Sequence, residues 1–268
     1  MISLAVNSVL FDAFDFATAA RHIAAAGYDG IEIAAIPGMC EHLEVDRWRE
    51  QVEELRAILD ETGLKPVSME TADRGDDRIL RAFEAGAELG IPVVAVGSGG
   101  TSGDPDSLRE RIARLSELAE AAAQFGVTVV CKAHVGSAVF DTPTTLAAME
   151  AIPSPGFGIN MDPSHIHRAG EVPREALQQV VSRVRHSHIR DCRGRQQGPG
   201  MPPLQACGRG DIDLFGYCRV LVDAGYEGAA SLEVIGAAKA GLSLAQVAIV
   251  AAESFGYLNA CLKQLGAR

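Results

Sequence analysis

The sequence has no concentration of positive charge. Its 24 Lys and Arg stand against 35 Asp and Glu, a formal net charge of −11, and no basic run or basic–aromatic stretch breaks that balance. A protein that grips nucleic acid through its phosphates needs such a footprint, so nucleic acid is not an expected partner. The excess acid serves solubility instead. The six cysteines, Cys40, Cys131, Cys192, Cys207, Cys218 and Cys261, contain no Cys-x-x-Cys pair. That removes the spacing of a structural zinc ribbon, and a disulfide framework is not expected in a chain of 268 residues. No segment offers the ~18 continuous apolar residues of a membrane span. Met1-Ile-Ser-Leu-Ala-Val6 has no basic region ahead of a signal-like apolar run. The expectation is a soluble protein of the reducing cytoplasm with no membrane partner. Phosphate-binding signatures are missing too. The tract Gly97-Ser-Gly-Gly-Thr-Ser-Gly103 has neither the lysine and spacing of a P-loop nor a GxGxxG pattern, and it reads as a flexible loop after a strand.

What the sequence has is 47% hydrophobic residues, enough for one large core, arranged in short apolar runs that alternate with helical periodicity. Residues 2–7, 30–34, 65–70 and 91–96 read as the first four strands. Between them lie helices that start at Asp15, Asp46 and Asp76 and stop at Gly27, Gly63 and Gly90. Asp106 or Ser107 opens a long helix closed by Gly126, and Asp141-Thr-Pro143 opens another. Asp211 or Asp213, and later Ser243, start the last two. Eight strands alternating with eight helices predict a parallel sheet, and eight repeats favour a single closed (β/α)8 TIM barrel over residues 1–268. A doubly wound open sheet is the alternative, but it does not gather several strand ends around one point.

The chain is organised around residues 127–236. Four apolar runs there end in polar side chains: Val127-Thr-Val-Val-Cys-Lys-Ala-His134, Gly158-Ile-Asn-Met-Asp-Pro-Ser-His165, Val184-Arg-His-Ser-His-Ile-Arg-Asp191 and Ala230-Ser-Leu-Glu-Val234. In a barrel these are the catalytic ends of strands five to eight. Strand alternation puts His186, His188 and Arg190 on one face, with His188 near the top and His186 a layer below. Asp162, His188 and Glu233 suit a divalent ion. Glu233 lies in an apolar strand, so its charge needs a cation or strong donors. His167 reads as a solvent-facing loop residue. Residues 36–43 and 192–210 follow strand ends and should lie over the site.

These motifs resemble the xylose isomerase-like TIM barrel family of sugar and sugar-phosphate isomerases and epimerases. Asp162-x-x-His165 resembles its strand-six Asp with a trailing His, and His186-Ser-His-Ile-Arg-Asp191 its vHxHlkD motif. Gly208-x-Gly-Asp-Ile-Asp213 and Gly225-Tyr-Glu-Gly228, followed by Ser231-Leu-Glu233, resemble its approach to strand eight. The resemblance implies one divalent metal (Mn2+, Mg2+, Zn2+ or Co2+), held by a strand-five Glu, the Asp, the His and the strand-eight Glu. The two Glu residues also flank the carbon whose proton moves. It implies an isomerase or epimerase that works through an enediolate on a small carbohydrate or hydroxy-ketone. Metal ligands would be Asp162, His188 and Glu233; Lys132, Glu233 and His165 would be catalytic, and His134, Arg193 and Arg195 would bind substrate. A lyase such as an inosose dehydratase and a non-catalytic sugar-binding barrel are the alternatives. A homo-oligomer is left open.

The departure is at strand five, where Lys132-Ala-His134 replaces the family's Glu. An ammonium among metal ligands repels a cation. Either Lys132 stands where the metal would be and pairs with Glu233 and Asp162, or the metal stays on three ligands and Lys132 swings away or is neutral, available as a base. Both require Lys132 to point inward, since a one-residue slip of register would turn Cys131 inward instead.

Overall fold

A computed structural model describes residues 1–73, 75–195 and 198–268, with the side chain of Asp76 outside the description. Eight parallel strands close on themselves: β1 (Ser3–Asn7), β2 (Gly30–Ile36), β3 (Lys65–Thr71), β4 (Val93–Gly97), β5 (Thr128–Lys132), β6 (Phe157–Met161), β7 (Val184–Ile189) and β8 (Ala229–Leu232). β1 pairs with both β2 and β8, which closes the cylinder. The (β/α)8 barrel expected from the alternating pattern is the fold. A two-residue strand at Cys40–Glu41 adds an antiparallel bridge to the end of β2; two residues leave no periodic signal to read.

Helices follow each strand on the outside: α1 (Phe16–Ala25), α2 (Trp48–Thr62), α3 (Asp76–Leu89), α4 (Pro105–Gln124), α5 (Thr142–Ala151), α7 (Pro173–Val180), α8 (Leu214–Asp223) and α9 (Leu244–Gln264), with a short extra helix α6 (Pro163–Arg168) after β6. Their starts are built by side-chain caps. Asp15 accepts from the Thr18 N–H, Asp104 from those of Asp106 and Ser107, and Asp213 from that of Gly216. Asp141 and Ser243 form full capping boxes with Thr144 and Gln246. Gly63 and Gly90 end α2 and α3 in the left-handed conformation. α9 is long and apolar enough to cross a membrane by length and composition, and it packs Val247, Val250, Ala251, Leu258 and Leu262 inward.

α6 was read from sequence as a loop, with His167 facing solvent. Six residues are too few to show a helical period, yet Asp162 caps the turn and Pro163 takes its first position. The helix buries His167 to 8% exposure, which corrects that expectation. Asp191, one residue past Arg190, organises the connection to α8. Its carboxylate accepts from the backbone N–H groups of Cys192, Gly208 and Ile212. A Cβ on Gly210 would lie 2.1 Å from Asp191 Oδ1, so only glycine passes there. The Gly208-x-Gly-Asp signature therefore serves the loop's path past that carboxylate.

Candidate active site

The C-terminal ends of the strands open into a pocket of about 510 Å³. Glu70, Lys132, His134, His165, Arg190 and Glu233 line it. Ile36 at the end of β2, Met39 just beyond it, and Pro199 from the segment after β7 also line it. Both predicted covering segments thus border the pocket; Gln196 and Gln197 of the second lie outside the described residues.

Lys132 is the last residue of β5 and points inward, in the register that keeps Cys131 on the other side, packed in the outer core. Its Nζ lies 2.6 Å from Glu233 Oε1, 3.0 Å from Glu70 Oε1 and 3.2 Å from His188 Nδ1. Burial opposes an ammonium here, but Glu233, Glu70 and Asp162 outweigh it and hold the lysine charged above its ordinary range. The neutral lysine considered from sequence does not fit this environment. Burial alone would neutralise Glu233, and the nearby Lys132, Arg190 and His188 instead keep it ionised well below the usual carboxylate range. Glu70 differs. Burial and the Glu233 charge raise its proton affinity, with Lys132 opposing, while Asn7 Nδ2 donates to its Oε2 at 2.7 Å.

A second layer lies beneath. Glu32, on β2, is fully buried and accepts at one oxygen from Ser231 Oγ at 2.8 Å and from His188 Nε2 at 2.8 Å, with His186 Nε2 at 3.2 Å. His186 thus sits one layer below His188, as strand alternation predicts, and also meets Ser68 Oγ at 3.2 Å. Two donors, the ammonium of Lys132 and Asn160 Nδ2 at 3.3 Å, converge on His188 Nδ1. Burial and the Lys132 charge disfavour a second ring proton there, whereas Glu32 and Glu233 favour it and raise His188 to about 9. Nε2 carries an N–H that faces Glu32 in either protonation state.

Asp162 and Arg190 form the other side of the site. Asp162 Oδ1 caps α6 and accepts from Ser164 Oγ at 2.7 Å. Its Oδ2 faces Arg190 Nη2 at 3.3 Å and His165 Nε2 at 3.7 Å. Burial pushes Asp162 up, but the Arg190 cation pulls it far below the carboxylate range. Arg190 is 1% exposed and also reaches Ser164 Oγ at 2.7 Å, His165 Nε2 at 3.0 Å and Glu233 Oε2 at 3.3 Å. Burial holds His165 neutral, well below its ordinary value, and its ring stacks on His134 with centroids 4.0 Å apart.

Of the residues singled out from sequence, Lys132, Glu233, Asp162, His188, His165 and His134 converge. Arg193 and Arg195 do not. Their side chains are exposed and anchored to the carbonyls of Arg209 and Gly170, because the loop turns them outward after Asp191. Asp162, His188 and Glu233 do not form one ligand set. Among the described residues, the groups with ligand atoms within 4.8 Å of one another are Glu70–His188–Glu233, Asp162–His165–Glu233 and Glu32–His186–His188. Lys132 Nζ stands inside the first, within hydrogen-bond reach of all three members. Arg190 bridges the two carboxylates of the second, and the third is fully buried with its facing oxygen already hydrogen-bonded. These residues hold cations of their own and do not fit a divalent ion with Lys132 in place. Glu70 and Glu32 were not picked out from sequence. The signal was there: each is a carboxylate in an apolar strand, the criterion that identified Glu233.

A family model described as a xylose isomerase-like TIM barrel matches residues 20–250. The inosose dehydratase of Clostridium perfringens (strain 13 / Type A) is 29% identical over 126 residues, 42% of this chain and 42% of that protein. The chain therefore matches well under half the length of that curated relative. Among solved structures, D-allulose 3-epimerase from Methylomonas sp. superposes with a TM-score of 0.75 at 17% identity, over 97% of this chain and 98% of that one. The IOLI protein, solved with a bound zinc atom, gives a TM-score of 0.79 at 18% identity over 98% and 99% of the two chains. At these identities the two structures speak for the fold.

Proposed function

The chain belongs to the xylose isomerase-like TIM barrel family, and from that premise we propose that it moves a proton on a carbon next to a carbonyl in a small sugar or hydroxy-ketone, as an isomerase or epimerase. The observation that carries this reading is the position of Lys132 Nζ, 2.6–3.2 Å from Glu233, Glu70 and His188 at the floor of the pocket. A carbonyl oxygen placed beside it would gain negative charge, as an enediolate forms, next to a fixed and charged donor. Such preorganised stabilisation is worth most where water is excluded. Glu70 touches the same ammonium, borders the pocket and has a raised proton affinity, so it is the group that takes the proton and returns it. Glu233, kept ionised, anchors the ammonium and is available as the second group that epimerisation needs. His165, neutral and held by Arg190, orients the substrate with His134 in this reading. In this reading the oxyanion meets the ammonium and not a metal ion, because Lys132 Nζ occupies the position between the candidate ligands.

A second reading is a dehydratase that uses the same enolate, favoured by the partial identity to inosose dehydratase. Both are tested together. The protein is incubated in D2O with a panel of ketoses and inososes, and deuterium at the carbon next to the carbonyl is followed by NMR. We expect exchange with at least one compound, reduced about 100-fold or more in Glu70→Gln. Loss of water from the exchanging compound identifies a dehydratase, and retention of it an isomerase or epimerase. Binding without exchange across the panel would reject the enzymatic reading in favour of a sugar-binding barrel.

A further inference from the structure

Two arginines line the pocket with donors that nothing in the protein accepts. Arg168 Nε and Arg111 Nε are both buried and lack a hydrogen-bond partner. Arg111, on α4, directs Nη2 outward to Glu110 Oε1 at 2.7 Å, which leaves its inner N–H unmatched. Among the described residues no hydrogen bond or ion pair reaches the Arg168 guanidinium. Buried polar groups are almost always paired, and a charged donor left unpaired is costly. The cost at Arg168 shows in its environment: burial and the neighbouring Arg190 charge both oppose its cation, with Asp162 opposing them.

The other charges in the pocket are accounted for. Lys132 is engaged by Glu70 and Glu233, and Arg190 by Asp162 and Glu233. Asp73 is held by Arg114 Nε at 3.1 Å. What remains is positive, inside a chain whose net charge is −11. A local reversal of sign in a cleft draws ligands of the opposite charge. The sequence places it deliberately with respect to the site. Arg168 follows His165 by three positions on α6, so one short helix presents both side chains on one face.

We propose that the substrate carries an anionic group, a carboxylate or a phosphate, which Arg168 and Arg111 hold while its hydroxy-ketone end meets Lys132. This rests on the proton-transfer reading for the second half only; the anion subsite stands on its own geometry. Guanidinium forks match both anions, and the two sources are separated by the choice of probe.

The test is calorimetric titration of the full chain at low ionic strength with hydroxypyruvate, dihydroxyacetone phosphate and neutral dihydroxyacetone. The expected result is that one or both anions bind about tenfold or more tightly than dihydroxyacetone, and that Arg168→Gln collapses the difference to about threefold or less. Which anion prevails identifies carboxylate or phosphate. Arg111→Gln, on a more exposed helix, gives the same direction if Arg168→Gln fails to fold. No anion preference in the wild type, or a preference that survives in both variants, overturns the proposal. Deuterium exchange into dihydroxyacetone separates the two readings. Anion preference without exchange leaves the subsite standing and removes the proton transfer; exchange without anion preference does the reverse.

Discussion

Glu32 Oε2 lies 2.8 Å from His188 Nε2, with both side chains fully buried, so a carboxylate on β2 fixes which nitrogen of a β7 histidine faces the pocket. The same oxygen serves Ser231 and His186. Removing a buried charged acceptor leaves all of its donors unmatched. Glu32→Ala should therefore destabilise the protein by about 3 kcal/mol or more, and Glu32→Gln, which keeps the shape and one acceptor, by less. Urea denaturation measures both. A loss of less than about 1 kcal/mol in Glu32→Ala would mean that this layer is not holding the site together.

His188 supplies a second prediction. Glu32 and Glu233 raise its proton affinity to about 9 although the Lys132 ammonium, 3.2 Å from Nδ1, opposes the proton. Lys132→Met removes that opposing charge and keeps the carboxylates. His188 should therefore be cationic at neutral pH in the wild type, and in the variant it should hold its proton to a higher pH still. The ring carbon shifts in NMR titrations of the two proteins decide this. A variant whose ring loses its proton at the wild-type pH or below would mean that the ammonium does not act on His188.

The barrel was legible in the sequence because each strand and helix carries its own signal. Caps at Asp15, Asp141, Asp213 and Ser243, and stops at Gly63 and Gly90, sit where the chain turns. The site was legible where a polar residue ends an apolar strand in the second half, as at Lys132, His188 and Glu233. Glu32 and Glu70 carry the same signal in the first half and went unused, because no motif drew attention there. The partners of Lys132 were half anticipated. Glu233 was expected; Asp162 was expected too but is held by Arg190, and Glu70 takes its place, since pairing across the barrel interior depends on how strands β3, β5 and β8 face one another. Arg193 and Arg195 were expected at the pocket on position after a strand end. Backbone N–H bonds to Asp191 redirect that loop, and the arginines bordering the pocket come instead from α4, α6 and the residue after β7.

Acid should weaken the fold before the carboxylates titrate. His165, His134 and His42 are all held below their ordinary value, in each case chiefly by burial. The unfolded chain binds protons on these rings below about pH 6.5, while the folded chain resists them. The stability tied to these three rings is thus complete above that pH and falls as pH drops through the window beneath it. Each such ring contributes at most about 1.4 kcal/mol per pH unit. Denaturation midpoints at pH 8, 6.5 and 5 should decline over the last interval, with a shallower decline in His165→Gln. The depressed Asp162, Glu233 and Glu32 add a second loss only below about pH 4. A flat profile from pH 8 to 5 would count against neutral buried histidines.

The last prediction concerns what the ammonium replaces. Glu70, His188 and Glu233 offer ligand atoms within 4.8 Å of one another, and Lys132 Nζ lies among them. Lys132→Glu exchanges the internal cation for a fourth ligand, itself anionic, in a cluster that Glu32 already orients through His188. Both changes favour a divalent ion: repulsion is removed and a ligand is gained. Affinity for Mn2+ or Zn2+ should rise about tenfold or more over the wild type, as measured by calorimetry on metal-free protein. Lys132→Met separates the two contributions, because it removes the repulsion without adding a ligand, and it should fall between the other two. If the three proteins bind metal equally, the ammonium is not at the ion's position, and the case for Lys132 as the resident cation of this site fails with it.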